Sequence, residues 1–135
     1  MKKPVPAACP CGSDRPYEEC CGPLHQGTVA TDAEILMRSR YSAYVFKLEA
    51  YLLASWHAST RPPHLDLDAA GPATKWLDLR IQRHEITAPD SALVEFVARC
   101  KVGGRAHRLH EVSRFVREGG RWYYLDAENT RDGVG

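Results

Sequence analysis

The sequence lacks any segment with the character of a membrane span or a secretion signal. Its 135 residues contain no apolar run approaching the ~20 residues that cross a bilayer. The start, Met-Lys-Lys-Pro, has two positive charges but no apolar segment behind them, so it does not resemble a signal peptide. These absences predict a cytoplasmic protein that does not bind membranes.

A large excess of one charge is also missing. The chain has 18 basic and 17 acidic side chains and a formal net charge of +1, so its overall charge does not favour binding to a polyanion. The apolar content, 44%, is ordinary for a globular protein and sufficient for one core. We expect one compact domain with a small appendage.

Cysteine is scarce overall but concentrated at the start of the chain. Four of the five cysteines lie in the first 21 residues, as the pairs Cys9-Pro-Cys11 and Cys20-Cys21. Structural zinc sites use four thiolate or imidazole ligands in a tetrahedron, and two close pairs on a short loop provide that arrangement. The spacing predicts a structural zinc ion held by Cys9, Cys11, Cys20 and Cys21. His25 is the alternative to Cys21 as the fourth ligand.

Other roles for these cysteines remain open at this level. Two disulfides are possible, but they are not expected in a reducing cytoplasm. A redox pair is also possible, but it normally has two residues between its cysteines and not one. Gly12 and Gly22 follow the two pairs, and we expect them to allow tight turns there. A closed set of four ligands leaves no position for a substrate, so we expect the metal to be structural.

The middle of the chain has a helical pattern. Residues 24–30 are interpreted as a linker, and Thr31 followed by Glu34 has the form of a capping box. Apolar residues then recur at steps of three and four, which predicts helices over about 32–46 and 49–57, with Arg38 and Arg40 largely off the apolar stripe. Proline and glycine between residues 59 and 75 predict an irregular segment.

From Trp76 the period of the apolar residues changes to two. This predicts four antiparallel strands in a meander, with a β-bulge near Arg83, a Gly103-Gly104 hairpin and a short last strand over 122–125. Helices followed by strands indicate an α+β fold, in which the helices pack on one face of a curved sheet.

These motifs together resemble a known family. Cys9-Pro-Cys11-Gly-Ser through Cys20-Cys21-Gly is similar to the zinc-binding SEC-C motif. Leu36 to Val45, Phe96 to Arg99, Glu111 to Phe115 and Arg121 to Asp126 are similar to the YchJ-like proteins. The resemblance implies an SEC-C zinc knuckle over 1–24 and a nuclear transport factor 2-like cone over 31–128. Many such proteins end in a second SEC-C motif, and we expect only one here. The resemblance does not imply a particular reaction.

A cone of this type has a pocket between its sheet and its helices. The principal candidates for polar groups in the pocket are Tyr41, His57, Trp76 and Glu111; further candidates are Trp56, His84 and His110. Alternation places Glu111 on the face of Leu109 and Phe115, where a carboxylate is suited to acid–base work. The alternative is a structural ion pair with Arg38 or Arg40. Cys100 is interpreted as a core residue.

Three hypotheses for function follow. The leading one is a non-enzymatic zinc-binding accessory protein whose knuckle docks a protein partner. The second is a lyase- or isomerase-like enzyme that uses the cone, with Glu111 or His57 as the base and Tyr41 as the polarising group. The third is an RNA- or ribosome-associated factor, because seven basic residues lie from Arg99 to Arg121, although a solvated face is the default explanation for them.

Overall fold

The computed structural model describes residues 8–65, 67 and 74–133, with side chains as far as Ala127. Within these residues, four antiparallel strands form one sheet in the order β1-β2-β3-β4. The strands are β1 Thr74–Ala88, β2 Ser91–Val102, β3 Arg105–Glu118 and β4 Arg121–Gly133. The predicted α+β meander is therefore confirmed. The register shifts between Ile81 and Arg83, so the predicted bulge is present as well.

The last strand is much longer than the predicted segment 122–125. Its pairing with β3 continues from Glu118↔Arg121 to Arg108↔Gly133. The polar composition after Leu125 lacks an apolar alternation, which is why the pattern did not reveal this part. An edge strand does not need that alternation, because the backbone groups of β3 supply its hydrogen bonds.

Among the described residues before the sheet there are three helices and one 3₁₀ turn. They are the turn Tyr17–Glu19, α1 Cys21–His25, α2 Ala33–Val45 and α3 Glu49–Ala54. The start of α2 corrects the predicted capping box, since Asp32 rather than Thr31 is the N-cap and its Oδ1 accepts a hydrogen bond from the Ile35 N–H at 2.8 Å. The last helix ends at Ala54 instead of continuing to residue 57.

A tight turn separates α2 from α3 at the predicted break. Lys47 has a φ of +57°, and the Leu48 N–H donates to the Ala43 carbonyl oxygen at 2.8 Å. The Lys47 N–H donates to the Tyr44 carbonyl oxygen at 3.3 Å. These two bonds are the pair that defines a Schellman motif, so the turn satisfies the last carbonyls of α2 while redirecting the chain.

The cysteine-bearing segment, residues 8–25, is called here the cysteine knuckle. The sequence left open whether this segment packs on the rest of the chain or moves freely on the linker 24–30; in the structure Leu24 and Ala30, at the two ends of that linker, are buried. Cys9, Cys11 and Cys21 belong to the same core as Leu36, Met37 and Leu79. The knuckle thus packs on α2 and on the first strand as part of one core.

Within the described residues, no helix combines the length and the apolar character required to cross a membrane.

Candidate functional site

The backbone of the cysteine knuckle forms a closed loop that contains one tight turn. The Cys9 N–H donates to the Arg15 carbonyl oxygen at 2.8 Å, and the Gly12 N–H donates to the Cys9 carbonyl oxygen at 3.3 Å. Gly12 has a φ of +84°, and a Cβ there would lie 3.1 Å from the Leu79 carbonyl oxygen. Glycine is therefore favoured at this position both by the positive φ of the turn and by the close approach to β1.

Gly22 has a different role from the one expected. It lies inside α1, and a Cβ on it would lie 2.8 Å from the Tyr17 carbonyl oxygen. The missing side chain lets α1 fold back against the 3₁₀ turn, which brings Cys21 towards the first cysteine pair.

The four sulfur atoms of Cys9, Cys11, Cys20 and Cys21 form a compact cluster. All four Sγ atoms lie within 4.8 Å of one another. The Cys11–Cys20 and Cys20–Cys21 Sγ separations are 3.5 Å and 3.9 Å. A tetrahedral ion with metal–sulfur bonds of about 2.3 Å places its ligands roughly 3.8 Å apart, so the donor set fits such an ion. The cluster can hold a metal ion without a rearrangement of the backbone.

The protonation of the cluster favours one thiolate in the absence of a cation. A hydrogen bond from the Cys21 thiol is the main cause that lowers the pKa of Cys11 to about 4. The same hydrogen bond raises the pKa of Cys21, and burial raises it further. A second negative charge is therefore costly until a cation compensates for it, which is the role that a metal ion has in a site of this type.

Side chains of α2 and of the knuckle surround the cluster. Ser42 Oγ lies 3.4 Å from Cys9 Sγ, and Ser13 Oγ lies 3.0 Å from Cys20 Sγ. Arg38 donates from Nη1 to the Cys11 carbonyl oxygen at 2.8 Å. Three of the four cysteines are buried and Cys20 is partly exposed. The sequence pattern did not predict this contact of Arg38 with the knuckle, because it placed the side chain off the apolar stripe of α2.

His25 is not available as a ligand, so the alternative fourth ligand is wrong. Its Nδ1 lies 2.6 Å from the Tyr17 hydroxyl, and its Nε2 lies 2.8 Å from the Ser39 carbonyl oxygen. The carbonyl can only accept, so Nε2 carries the proton and Nδ1 accepts from the tyrosine. Burial lowers the pKa of His25, in agreement with a neutral ring that joins the knuckle to α2.

The second candidate site is the cavity of the cone, between the helices and the inner face of the sheet. Its volume is about 270 Å³. Of the predicted pocket residues, Tyr41, Trp56, Trp76 and Glu111 line it. The other lining residues are Met37, Arg40, Tyr44, Phe96, Ala98, Leu109, Ser113 and Tyr124. Strict alternation along β3 explains why Glu111 faces this cavity together with Leu109 and Ser113.

Arg40 is the lining residue that contradicts its sequence pattern most clearly. It was expected off the apolar stripe of α2, yet it is only 3% exposed. Its Nη1 donates to the Leu52 carbonyl oxygen at 2.8 Å and to Ser55 Oγ at 2.6 Å. The guanidinium also lies over the rings of Tyr124 and Trp56, at 4.6 Å and 5.1 Å from their centroids. The end of α3 therefore holds a buried cation in the cavity wall.

Glu111 does not form the ion pair that was considered as its structural role. Its Oε2 accepts a hydrogen bond from Ser113 Oγ at 2.5 Å. Arg38 binds Glu34 instead, and Arg40 binds the end of α3. Among the described side chains, no arginine nitrogen lies within the 4.0 Å of the Glu111 carboxylate that an ion pair requires.

Three histidines considered for the pocket lie outside its lining. His57 Nε2 lies 2.9 Å from Glu118 Oε2, and its Nδ1 lies 2.7 Å from Ser59 Oγ. Because α3 ends three residues earlier, the His57 backbone N–H bonds to the Tyr124 carbonyl oxygen at 2.7 Å and the ring is directed away from the cavity. His110 contacts Glu95 at 2.7 Å. His84 lies 3.8 Å from Glu34.

The basic stretch from Arg99 to Arg121 is partly neutralised. Arg99 pairs with Asp78, and Arg117 Nε lies 2.9 Å from Asp90 Oδ1. Arg114 Nη2 lies 2.6 Å from Asp126 Oδ2. The fifth cysteine, Cys100, is buried in the core as expected and is not part of the sulfur cluster.

Comparison with known families agrees with both parts of this architecture. The model for the middle, nuclear transport factor 2-like domain of YchJ matches residues 32–127. The model for the SEC-C motif matches residues 7–23, which include all four clustered cysteines. The chain belongs to the YchJ-like family. In this YchJ-like chain the cone cavity lies in the matched domain and the sulfur cluster lies in the matched motif.

Similar proteins occur in several bacteria. A UPF0225 protein of Methylibium petroleiphilum is 57% identical over 129 residues, which cover 93% of this chain and 91% of the relative. A UPF0225 protein of Xanthomonas oryzae is 58% identical over 120 residues, covering 88% of this chain and 92% of the relative. The YchJ-like sequence is thus shared along nearly the full length of both chains.

Two solved structures have the same fold. The solution structure of an SEC-C motif-containing protein from Rhodopseudomonas palustris has a TM-score of 0.79 and 34% identity, covering 90% of this chain and 98% of that one. The crystal structure of an SEC-C motif-containing protein from Psychrobacter arcticus has a TM-score of 0.73 and 29% identity, covering 88% and 80% of the two chains.

Proposed function

We propose that this YchJ-like chain is a non-enzymatic accessory protein that holds one structural zinc ion and uses the surface beside it to dock a protein partner. The observation that carries the proposal is the cluster of four cysteine Sγ atoms within 4.8 Å of one another. Four thiolates are a donor set typical of structural zinc, and such a set leaves no open coordination position for a substrate.

The location of the cluster supports a structural role for the ion. Cys9, Cys11 and Cys21 are in the same core as the apolar side chains of α2 and β1. An ion bound by both cysteine pairs would fix residues 8–25 in the conformation that completes this core. Metal binding and folding of the knuckle are then coupled.

The proposed docking surface is a groove beside the cluster. It has a volume of about 400 Å³, and its wall includes Cys20, Pro23, Val29, Ile35 and Arg38. Val29 and Ile35 are large apolar residues that are exposed there, at 43% and 36%. Apolar groups with a charged rim suit a partner that inserts an apolar side chain from a short peptide segment.

The zinc part is tested by metal analysis of the purified chain. Native mass spectrometry and elemental analysis should find one zinc ion per chain in protein produced with zinc available. Cys20→Ser should lose it, because three thiolates give a weaker site. Cys100→Ser is the matched control, since Cys100 is outside the cluster, and it should keep its metal. An intact chain without zinc, or equal zinc in both variants, contradicts the proposal.

The docking part needs point substitutions, because deletion of the knuckle would remove part of the core. Affinity capture from an extract of a bacterium that encodes the chain should recover the same partner with the wild type and with Ile86→Glu. Ile86 is also exposed but lies on the sheet. Ile35→Glu should lose that partner while keeping its zinc. Failure of the wild type to capture a partner, or equal capture by both variants, contradicts docking at the groove.

A further inference from the structure

The cone cavity contains two opposite charges that do not pair with each other. Arg40 is buried at one wall, and Glu111 faces the cavity from β3. Among the described side chains, no carboxylate oxygen lies within 4.0 Å of the Arg40 guanidinium. Buried charges are normally paired, because removing an ion from water costs several kcal/mol.

The existing contacts of Arg40 leave part of its hydrogen-bonding capacity unused. A guanidinium has five N–H donors, and the two bonds to Leu52 and Ser55 both come from Nη1. The rings of Trp56 and Tyr124 stabilise the positive charge without neutralising it. The Tyr44 hydroxyl, which also lines the cavity, interacts with this guanidinium as well. Within the described residues, neither Nε nor Nη2 donates a hydrogen bond of 3.5 Å or less, and these two atoms form the side of a fork that is suited to a carboxylate.

The Glu111 carboxylate also retains free capacity to accept hydrogen bonds. Its Oε2 accepts from Ser113, whereas a carboxylate has about four acceptor sites. Glu111 shares its face of β3 with Ser113, and both line the cavity. A cationic group of a ligand, such as an ammonium, would find an acceptor there and a negative charge to balance its own.

The remaining lining is largely aromatic and apolar. The Tyr41 and Trp76 rings meet edge to face at a centroid distance of 5.7 Å, and Phe96 and Leu109 complete the wall. Burial raises the pKa of Tyr41 to about 12, so its hydroxyl is neutral at physiological pH. A cavity of about 270 Å³ corresponds to roughly nine water molecules at ~30 Å³ each. That space suits a compact organic molecule with an apolar body.

We propose that this cavity binds a small zwitterion of the amino-acid class with an aromatic or large apolar side chain. The ligand carboxylate binds the free side of the Arg40 guanidinium, its ammonium binds Glu111, and its side chain packs against Trp76 and Phe96. A simple anion would leave the cavity with a net negative charge, and a simple cation would leave it with a net positive one. A zwitterion compensates the charges of both Arg40 and Glu111 and leaves the net charge of the cavity unchanged. This site is separate from the proposed zinc centre.

The test uses the full zinc-loaded chain and a panel of related probes. Isothermal titration and ligand-observed NMR would measure binding of phenylalanine, tryptophan, leucine and methionine. Phenethylamine and 3-phenylpropionate are the probes that lack one charge. At least one amino acid should bind, and it should bind about tenfold or more tightly than either singly charged probe. Absence of binding across the panel, or tighter binding of a singly charged probe, overturns the proposal.

Charge-removing variants then locate the ligand. Glu111→Gln should weaken amino-acid binding about tenfold while leaving 3-phenylpropionate unchanged or tighter. Glu95→Gln is the matched control, because Glu95 is on β2 outside the cavity lining and should not change either affinity. Arg40→Lys keeps the positive charge but lacks the forked pair of donors, so the binding of 3-phenylpropionate should weaken most. If Arg40→Lys does not fold, the comparison of Glu111→Gln with Glu95→Gln still tests the proposal. Equal amino-acid affinities in those two variants overturn it.

Discussion

Arg38 connects the cysteine knuckle to α2 through the Cys11 carbonyl oxygen, which accepts a hydrogen bond from Nη1 at 2.8 Å. The same guanidinium donates from Nε to Glu34 at 3.1 Å, one turn earlier in the helix. The bond reaches the backbone of a cysteine in the sulfur cluster, so it joins the position of that cysteine to the helix. The positive charge of Arg38 also lies near the Cys11 thiolate.

Replacing Arg38 should destabilise both the fold and the proposed metal centre. Arg38→Gln loses the charged bond to the Cys11 carbonyl, and we expect a free energy of unfolding lower by about 1–2 kcal/mol. Faster zinc transfer to a chelator should accompany it. Arg83→Gln is the control, because Arg83 pairs with exposed carboxylates on the sheet and should cost under about 1 kcal/mol. Equal zinc-transfer rates in the two variants would show that Arg38 does not support the centre.

Removal of the proposed zinc ion should unfold more than the knuckle alone. Since three clustered cysteines are part of the common core, losing the ion exposes the apolar surface of α2 and β1. A loss of at least ~3 kcal/mol corresponds to a decrease in Tm of roughly 10 °C for a chain of this size. Calorimetry before and after chelation, with zinc added back, measures this. An unchanged Tm would mean that the ion does not contribute to the core.

Much of the fold could be predicted from the period of the apolar residues. A period near 3.6 indicated α2, and alternation along β3 oriented Glu111 correctly towards the cavity. The burial of Arg40 could not be predicted in this way, because a mid-helix arginine off the apolar stripe normally faces water. Its environment is made by residues distant in sequence, Leu52, Ser55 and Tyr124, and only the folded chain brings them to one place.

The cysteine spacing predicted the cluster but not its attachment. Local pattern identified the two pairs and the tight turn at Gly12. The contacts of Arg38 and His25 with neighbouring elements are specific hydrogen bonds to backbone carbonyls, and such bonds leave no periodic signal. His57 was placed wrongly for a related reason, since α3 ends at Ala54 and the following residues bond to β4.

The glycine at position 12 should be sensitive to a single methyl group. Gly12→Ala places a Cβ 3.1 Å from the Leu79 carbonyl oxygen at a positive φ. The backbone conformation alone costs about 1–2 kcal/mol, and the close contact adds to it. Gly104→Ala is the matched control, because Gly104 has a nearly equal φ of +82° but open space around its Cβ position. Denaturant unfolding should show the larger loss for Gly12→Ala, and equal losses would mean that the knuckle can move away from β1.

The stability of the chain should fall in mild acid partly because of His25. Burial lowers the pKa of His25 in the folded state, so as pH falls the unfolded chain takes up a proton first. The neutral ring therefore contributes stability above its usual pKa of about 6.5 and loses that contribution below it. His25→Gln cannot titrate, so the free energy difference between wild type and variant should shrink between about pH 7.5 and pH 5.5. Both proteins contain the same cysteines, and their protonation largely cancels in the difference. A difference that stays constant over this range would show that His25 keeps an ordinary pKa in the folded protein.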